Sequence, residues 1–176
     1  YPLRRQRQMC IRDRRPPRFW TISGQFAGSC GRNMPNVYLD TNIYILGILK
    51  LDDDCSEILR RVSIGEGPNV VQSDYLFDEV LSWFKTRRGK EWVGRVRVVM
   101  ITVPNRTFVH HHEWSVPTEK WKPFVEHDDD LPHICSYFVG ECDVFVTTNR
   151  HLTQSKTCEY VNFRTPDEFL VDYMSR

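Results

Sequence analysis

The sequence has no apolar run approaching the roughly 20 residues that a bilayer-spanning helix needs. The longest candidate, residues 43–49, is short enough for a buried strand or a short helix. No C-x-x-C pair occurs, and the six cysteines follow no pairing pattern. A disulfide scaffold and a zinc site built on cysteine are therefore not expected. No secretory signal is visible, so free thiols in a reducing cytoplasm are expected, with no membrane association. Internal repeats are missing, and low complexity is confined to the first residues. What remains is an ordinary globular composition, 40% apolar, which is enough to bury a core.

The formal net charge of +1 hides an asymmetry. Residues 1–33 hold eight arginines and one acid, which leaves 16 basic and 22 acidic residues in 34–176. The main body of the chain is thus mildly acidic. An enzyme of this composition acting on nucleic acid must grip it through a local basic patch and not through overall charge.

Residues 1–33 carry neither helical nor strand periodicity. A basic arm for nucleic acid and an Arg-rich transit peptide are two readings. A third fits better: Leu3-Arg-Arg-Gln-Arg-Gln-Met-Cys-Ile-Arg-Asp-Arg14 resembles a translated sequencing-library adapter. Residues 1–33 are accordingly expected to be a non-native or disordered extension. A single domain is expected over 34–176.

Within that domain, strands are predicted at 36–40, 69–72, 98–103, 143–147 and 157–162. Helices are predicted at 41–50, 52–62, 73–86, 90–99, 131–139 and from Pro166. Residues 104–126, with three consecutive histidines and several prolines, defy a pattern. Strands alternating with helices predict an α/β fold: three layers, α/β/α, with a central parallel sheet of about four to five strands. Ligands in such sheets bind beyond the carboxyl ends of the strands. Asp40 and Asn149 fall at two such ends.

Three acids are candidates for chemistry. Asp40 ends an apolar strand and precedes a helix; it reads equally as a helix N-cap. Glu79 lies inside the apolar stripe of Leu76, Val80 and Trp83, where a carboxylate must be paired, protonated or bound to metal. The alternative is a stripe edge where it reaches water. Asp130 closes His127-Asp-Asp-Asp-Leu-Pro-His133, an acid run that is costly unless solvated or neutralised. It too reads as an N-cap, with Pro132 in the first turn. Hard divalent cations prefer such oxygen ligands, and Mg²⁺ is held by one or two carboxylates plus waters and phosphate.

Five segments in order resemble the PIN domain family over residues 35–171. Val37-Tyr-Leu-Asp-Thr-Asn42 resembles its opening strand with the first metal-binding aspartate, here Asp40. Ser73-Asp-Tyr-Leu-Phe-Asp-Glu79 resembles its serine followed by the second acid, here Glu79. Asp128-Asp-Asp-Leu-Pro-His-Ile134 resembles the motif of the third acid, here Asp130. Cys142-Asp-Val-Phe-Val-Thr-Thr-Asn149 resembles the strand that often ends on a fourth acid, and this chain has Asn149 instead. Phe163-Arg-Thr-Pro-Asp-Glu-Phe-Leu170 resembles the closing segment.

The resemblance implies a metal-dependent endoribonuclease using Mg²⁺ or Mn²⁺ at Asp40, Glu79 and Asp130, with Asn149 as a fourth catalytic position. It implies products with a 5′-phosphate and a 3′-hydroxyl. Thr41 and Asn42 would orient the Asp40 carboxylate or a water, Ser73 would support Glu79, and Asp129 and Asp143 are outer helpers. Three biological settings are open: a toxin of the VapC type silenced by an antitoxin, a housekeeping RNA-processing nuclease, or a non-catalytic PIN-like RNA-binding scaffold. A homodimer is compatible with each. RNA would be gripped by Lys85, Arg87, Arg88 and Arg150, although solvated helix ends explain the first three equally well. Trp83 and Trp92 read better as core than as base-stacking platforms. His110, His111, His112 and His133 show no ligand spacing, and no metal role is expected of them.

Overall fold

The structure, a computed structural model, describes residues 34–174. The expectation for residues 1–33 therefore lies outside the described residues. Five parallel strands form one sheet in the order β3-β2-β1-β4-β5. In chain order the elements begin with β1 (Asn36–Leu39), α1 (Thr41–Ile48), α2 (Asp53–Ser63) and β2 (Asn69–Ser73). There follow α3 (Asp74–Arg88), α4 (Lys90–Ile101), β3 (Arg106–Val109), and the short α5 (His111–Trp114) and α6 (Thr118–Trp121). The last part holds α7 (Leu131–Val139), β4 (Val144–Val146), α8 (Arg150–Gln154), β5 (Phe163–Arg164) and α9 (Pro166–Phe169).

The helices start where local chemistry starts them. Asp52 caps α2 by accepting from the backbone N of Cys55 (2.8 Å), with Asp53 and Asp54 in the first turn and Arg60 and Arg61 in the last. Ser73 caps α3 by accepting from the Leu76 N–H (3.2 Å). Gly89, at φ +99°, lets α3 pass to α4 through a single residue, a conformation that L side chains rarely adopt.

The core sits on both faces of the sheet. Val37, Tyr38 and Leu39 are consecutive, so they point to alternate faces, yet each is 0% exposed. The same holds for Val144, Phe145 and Val146. Both faces are covered, as the near-continuous apolar strands require, and the three-layer expectation holds with five strands. Gly140 permits the end of α7 to lie on β2: a Cβ there would meet Val71 Cγ1 at 2.4 Å.

Two expected strands are corrected. Residues 98–103 continue α4 to Ile101 instead of forming a strand. Val96 and Met100 are buried while Val98 is exposed, which is helical spacing; the β-branched run extends a helix that nothing breaks. Residues 157–162 form a 3₁₀ turn, Lys156–Glu159, and the strand is displaced to β5. There the hydroxyls of Ser155 and Thr157 bond each other, and local side-chain bonding of this kind favours turns. The third strand, β3, lies in the stretch that showed no pattern. It is an edge strand whose first residues are exposed, so it needs no apolar alternation.

β1 is central, with β2 on one side and β4 on the other. The chain winds one way from β1 to β2 and the other way to β4, which makes the β1–β4 boundary the topological switch point where such sheets open a crevice. Asp40 follows β1 there, and Thr147 to Asn149 follow β4.

Candidate active site

Asp40 is pinned at the switch point from several directions. Its N–H donates to Val146 O (3.0 Å), tying the end of β1 to β4. Its Oδ1 accepts from the Thr41 N–H (2.7 Å), capping α1, and its Oδ2 accepts from the Thr147 hydroxyl (2.6 Å). The side chain is both a cap and a site group, because the two oxygens take different partners. Glu79 lies in the second turn of α3. Its Oε2 accepts from the Thr41 hydroxyl and lies 2.9 Å from His133 Nε2. Asp130 precedes α7, and its carboxylate makes no hydrogen bond among the described residues.

The three acids feel one another. Asp40 is held above the usual carboxyl range mainly by burial, against the charge of His133 and the bonds from Thr147 and Thr41, with a further push from Glu79. Asp130 is raised by burial first, with Asp40 and Glu79 adding repulsion and His133 and His127 opposing it. Burial, more than like-charge crowding, is thus the larger cause. Glu79 goes the other way: burial pushes it up, but hydrogen bonds from His133 and Thr41 and the His133 charge outweigh burial and hold it low. His133 is raised, because Glu79, Asp40 and Asp130 together overcome the penalty of burying its cation. A histidine therefore stands among the acids as their internal counter-charge.

Among the described residues, no three His, Cys, Asp or Glu side chains stand as a ready metal cage. The donor set nonetheless suits a hard cation. Asp130 has both oxygens without a hydrogen-bond partner, Glu79 has Oε1 uncommitted, and each Asp40 oxygen keeps a second lone pair. Mg²⁺ needs only one or two direct carboxylates, its other positions being water and phosphate.

The supporting residues are arranged differently from the expectation. Thr41 reaches Asp40 only through its backbone N–H and gives its hydroxyl to Glu79. Asn42 is exposed and bonds neither acid. Ser73 does not touch Glu79; it bonds Tyr38, which bonds His133, which bonds Glu79. Asn149 uses its Oδ1 to cap α8, accepting from the His151 N–H (3.0 Å), while its own N–H donates to the Thr147 hydroxyl (2.9 Å). Asp129 is exposed in the turn before α7 and influences Tyr75. Asp143 is a correction: it precedes β4 and accepts from the Asn36 N–H (2.9 Å) at the start of β1, so it joins the amino ends of the strands, opposite the acids.

Three participants escaped the sequence reading: Tyr38, His133 and Thr147. Tyr38 looked like ordinary strand core. His133 shows no metal-ligand spacing, but its place three residues after Asp130 puts the two on one helical face. Thr147 carried no signal beyond following an apolar strand. Lys85, Arg87 and Arg88 lie exposed in the last turn of α3, where cations suit the helix dipole. Arg87, Trp83 and Tyr75 share with Glu79 a groove of about 400 Å³. Arg150 is exposed in the first turn of α8.

This sheet order is that of a PIN-like α/β fold, and comparison with solved structures agrees. A chain of VapBC2 from Rickettsia felis, solved bound to a DNA fragment from the promoter, matches with TM-score 0.54 at 14% identity, over 74% of this chain and 98% of that one. A chain of VapBC-1 from nontypeable Haemophilus influenzae matches with TM-score 0.53 at 16% identity, over 75% of this chain and 98% of that one. At such identities the likeness is one of fold. No family model matches the sequence, and no curated protein matches it. Among the described residues, no helix is long and apolar enough to cross a membrane. Cys55, Cys135, Cys142 and Cys158 are unpaired.

Proposed function

We propose that the chain is a PIN-type endoribonuclease that uses Mg²⁺ or Mn²⁺ held by Asp40, Glu79 and Asp130. The observation that carries this reading is the convergence of three mutually interacting carboxylates, from β1, α3 and the start of α7, at the switch point of a PIN-like sheet. The bound cation would supply charge stabilisation at the phosphate and activate a water for attack. The chain's own residues supply the geometry. Thr147 and the Thr41 N–H fix the Asp40 carboxylate, and the Thr41 hydroxyl bonds that of Glu79. On this reading Arg87, which shares a groove with Glu79, and Arg150 would meet phosphates flanking the scissile one. A water oxygen bonds to phosphorus as the bond to the 3′ oxygen breaks. The products are a 5′-phosphate and a 3′-hydroxyl, whose proton comes from solvent.

The same reading gives the chain a protein partner. The matched structures are VapBC assemblies, which supports an antitoxin partner. The test is cleavage of a mixed RNA by the full chain with Mn²⁺, with chelator, and with Asp40→Asn. Cutting that needs both the metal and Asp40 supports the reading. Absence of cutting by the wild type overturns it in favour of a non-catalytic RNA-binding protein, and equal cutting by Asp40→Asn overturns the assignment of the site.

A further inference from the structure

Behind the acids runs a line of buried side-chain hydrogen bonds that the cleavage chemistry leaves unused. Ser73 Oγ accepts from the Leu76 N–H (3.2 Å) and lies 3.1 Å from the Tyr38 hydroxyl. The Tyr38 hydroxyl lies 2.9 Å from His133 Nδ1, and His133 Nε2 lies 2.9 Å from Glu79 Oε2. Ser73 and Tyr38 are 0% exposed and His133 is 3% exposed. The line joins β2, β1, α7 and α3, four elements distant in sequence.

Its polarity follows from its ends. An ionised Glu79 can only accept, so His133 Nε2 must carry the proton. In the neutral ring Nδ1 is then an acceptor and Tyr38 donates to it, whereas in the imidazolium Nδ1 donates to Tyr38; Nε2 carries its proton toward Glu79 in both states. The Tyr38 oxygen in turn accepts from the Ser73 hydroxyl, whose oxygen accepts from Leu76. Each proton is placed once and each group is satisfied, which is the condition for a polar network to be stable when buried. The ring itself cannot turn freely. Tyr75 meets its face-edge at 5.1 Å and Tyr38 at 5.8 Å, both near perpendicular.

We infer that His133 is a positioning residue, through which the buried Ser73–Tyr38 pair fixes Oε2 of Glu79 and leaves Oε1 directed to the reaction site. Glu79 needs such a hold. Its side chain is 40% exposed against 4% for that of His133, and it carries three free torsions on a helix face. Thr41 restrains the same oxygen from α1. The two donors approach from different elements, so together they define where the carboxylate lies. The use of Glu79 in cleavage rests on the ribonuclease reading; the orientation of the hydrogen-bond line does not.

Substitution at one position separates the roles. His133→Leu fills the space without a donor and should lower kcat on RNA with Mn²⁺ by about a hundredfold, the scale of a misplaced catalytic group, with KM for RNA little changed. His133→Gln places an amide N–H near the Nε2 position and should recover at least roughly tenfold of that loss. His133→Asn can reach Tyr38 but not Glu79 and should recover none. Wild-type rates for His133→Leu would overturn the inference. So would losses in the three variants that merely follow their melting temperatures.

A second readout needs no activity. Long-range ¹H–¹⁵N spectra of the metal-free full chain, at neutral to mildly basic pH, should show His133 protonated on Nε2. Tyr38→Phe should shift the ring toward a mixture of tautomers. A bare Nε2 with a protonated Nδ1 in the wild type would refute the line as drawn. If the wild type cuts no RNA, the ribonuclease reading fails and the spectra decide the positioning on their own.

Discussion

Thr147→Val tests how much of the site depends on one hydroxyl. Thr147 is 0% exposed, donates to Asp40 Oδ2 at 2.6 Å and accepts from the Asn149 N–H at 2.9 Å. Valine is nearly isosteric, so no cavity opens, and the change removes only the polar atom. A hydrogen bond to a charged group contributes about 1.5–3 kcal/mol, and an orphaned donor adds a further penalty. Asn149 is half-buried, so water can partly replace its partner. The net loss should be about 2–4 kcal/mol, or roughly 5–15 °C in melting temperature for a domain of this size. With a lowering influence gone, the Asp40 carboxyl should also rise further above its usual range. Thr147→Ser keeps the hydroxyl and should lose only about 1 kcal/mol, for the missing methyl. Urea unfolding in chelator gives the stabilities, and carbon NMR of the Asp40 carboxyl gives its titration. Thr147→Val within roughly 0.5 kcal/mol of wild type, with Asp40 titrating unchanged, would mean that the hydroxyl does not hold the acid.

Asp40→Asn, Glu79→Gln and Asp130→Asn should each remove most RNA cleavage while circular dichroism stays native, and Mn²⁺ should raise the melting temperature of the wild type more than of any variant. Normal cutting by all three would place the chemistry elsewhere. Asn149→Asp retains the α8 cap, since Asn and Asp cap equally well, so melts in chelator report the added charge alone. A drop of about 2–4 °C with tighter Mn²⁺ binding is expected; no change in either would mean that residue 149 does not face the acids. Without metal, stability should fall as pH rises. Asp40 and Asp130 bind protons more tightly folded than unfolded, so their contribution declines from the usual value of 3.8 up through the folded value. His133, raised above 6.5, contributes stability that is complete below 6.5 and lost as pH passes its folded value. Of the site groups Glu79 runs the opposite way: its contribution is present above 4.5 and lost as pH falls through its lowered folded value. Thermal melts in chelator should therefore be higher near pH of about 5.5 than near about 8.5; the reverse order would refute these assignments.

The fold was legible wherever burial demanded a pattern. β1 and β4, covered on both faces, read as apolar runs, and α2 announced itself by its charges. Legibility failed where no core was at stake. β3 is an edge strand with exposed residues, and the run after Val96 is helical because Val96 and Met100, and not their neighbours, are buried. The acids were legible because a charge at the end of an apolar strand or inside an apolar stripe is improbable on packing grounds. Their partners were not. Thr147 and Tyr38 are common residues in common places, and only the register of β1 beside β4 brings Thr147 to Asp40 and Tyr38 beside Phe145. Asp143 failed for the complementary reason: nearness in sequence to Asn149 hides the fact that β4 runs its whole length between them.

The arrangement answers a physical problem that the acids create. Three carboxylates gathered at a sheet edge, one of them 6% exposed, repel one another and resist desolvation. The fold opposes this in graded ways. Asp40 and Asp130 stand at the N-termini of α1 and α7, where unpaired N–H groups and the helix dipole favour negative charge. The Thr41 and Thr147 hydroxyls each give one proton to an acid. His133 adds a buried group able to carry a full positive charge, placed against Glu79 and felt by all three, and His127 acts on Asp130 as well. Among the described residues Asp130 is the acid left without a side-chain hydrogen bond, and it is also half-exposed. The least satisfied carboxylate is thus open to solvent, while Asp40 and Glu79, of which Glu79 is also partly exposed, are held by hydrogen bonds. On the ribonuclease reading, these bonds and charges offset part of the cost of gathering the acids, and the remaining negative charge is what a divalent ion would neutralise.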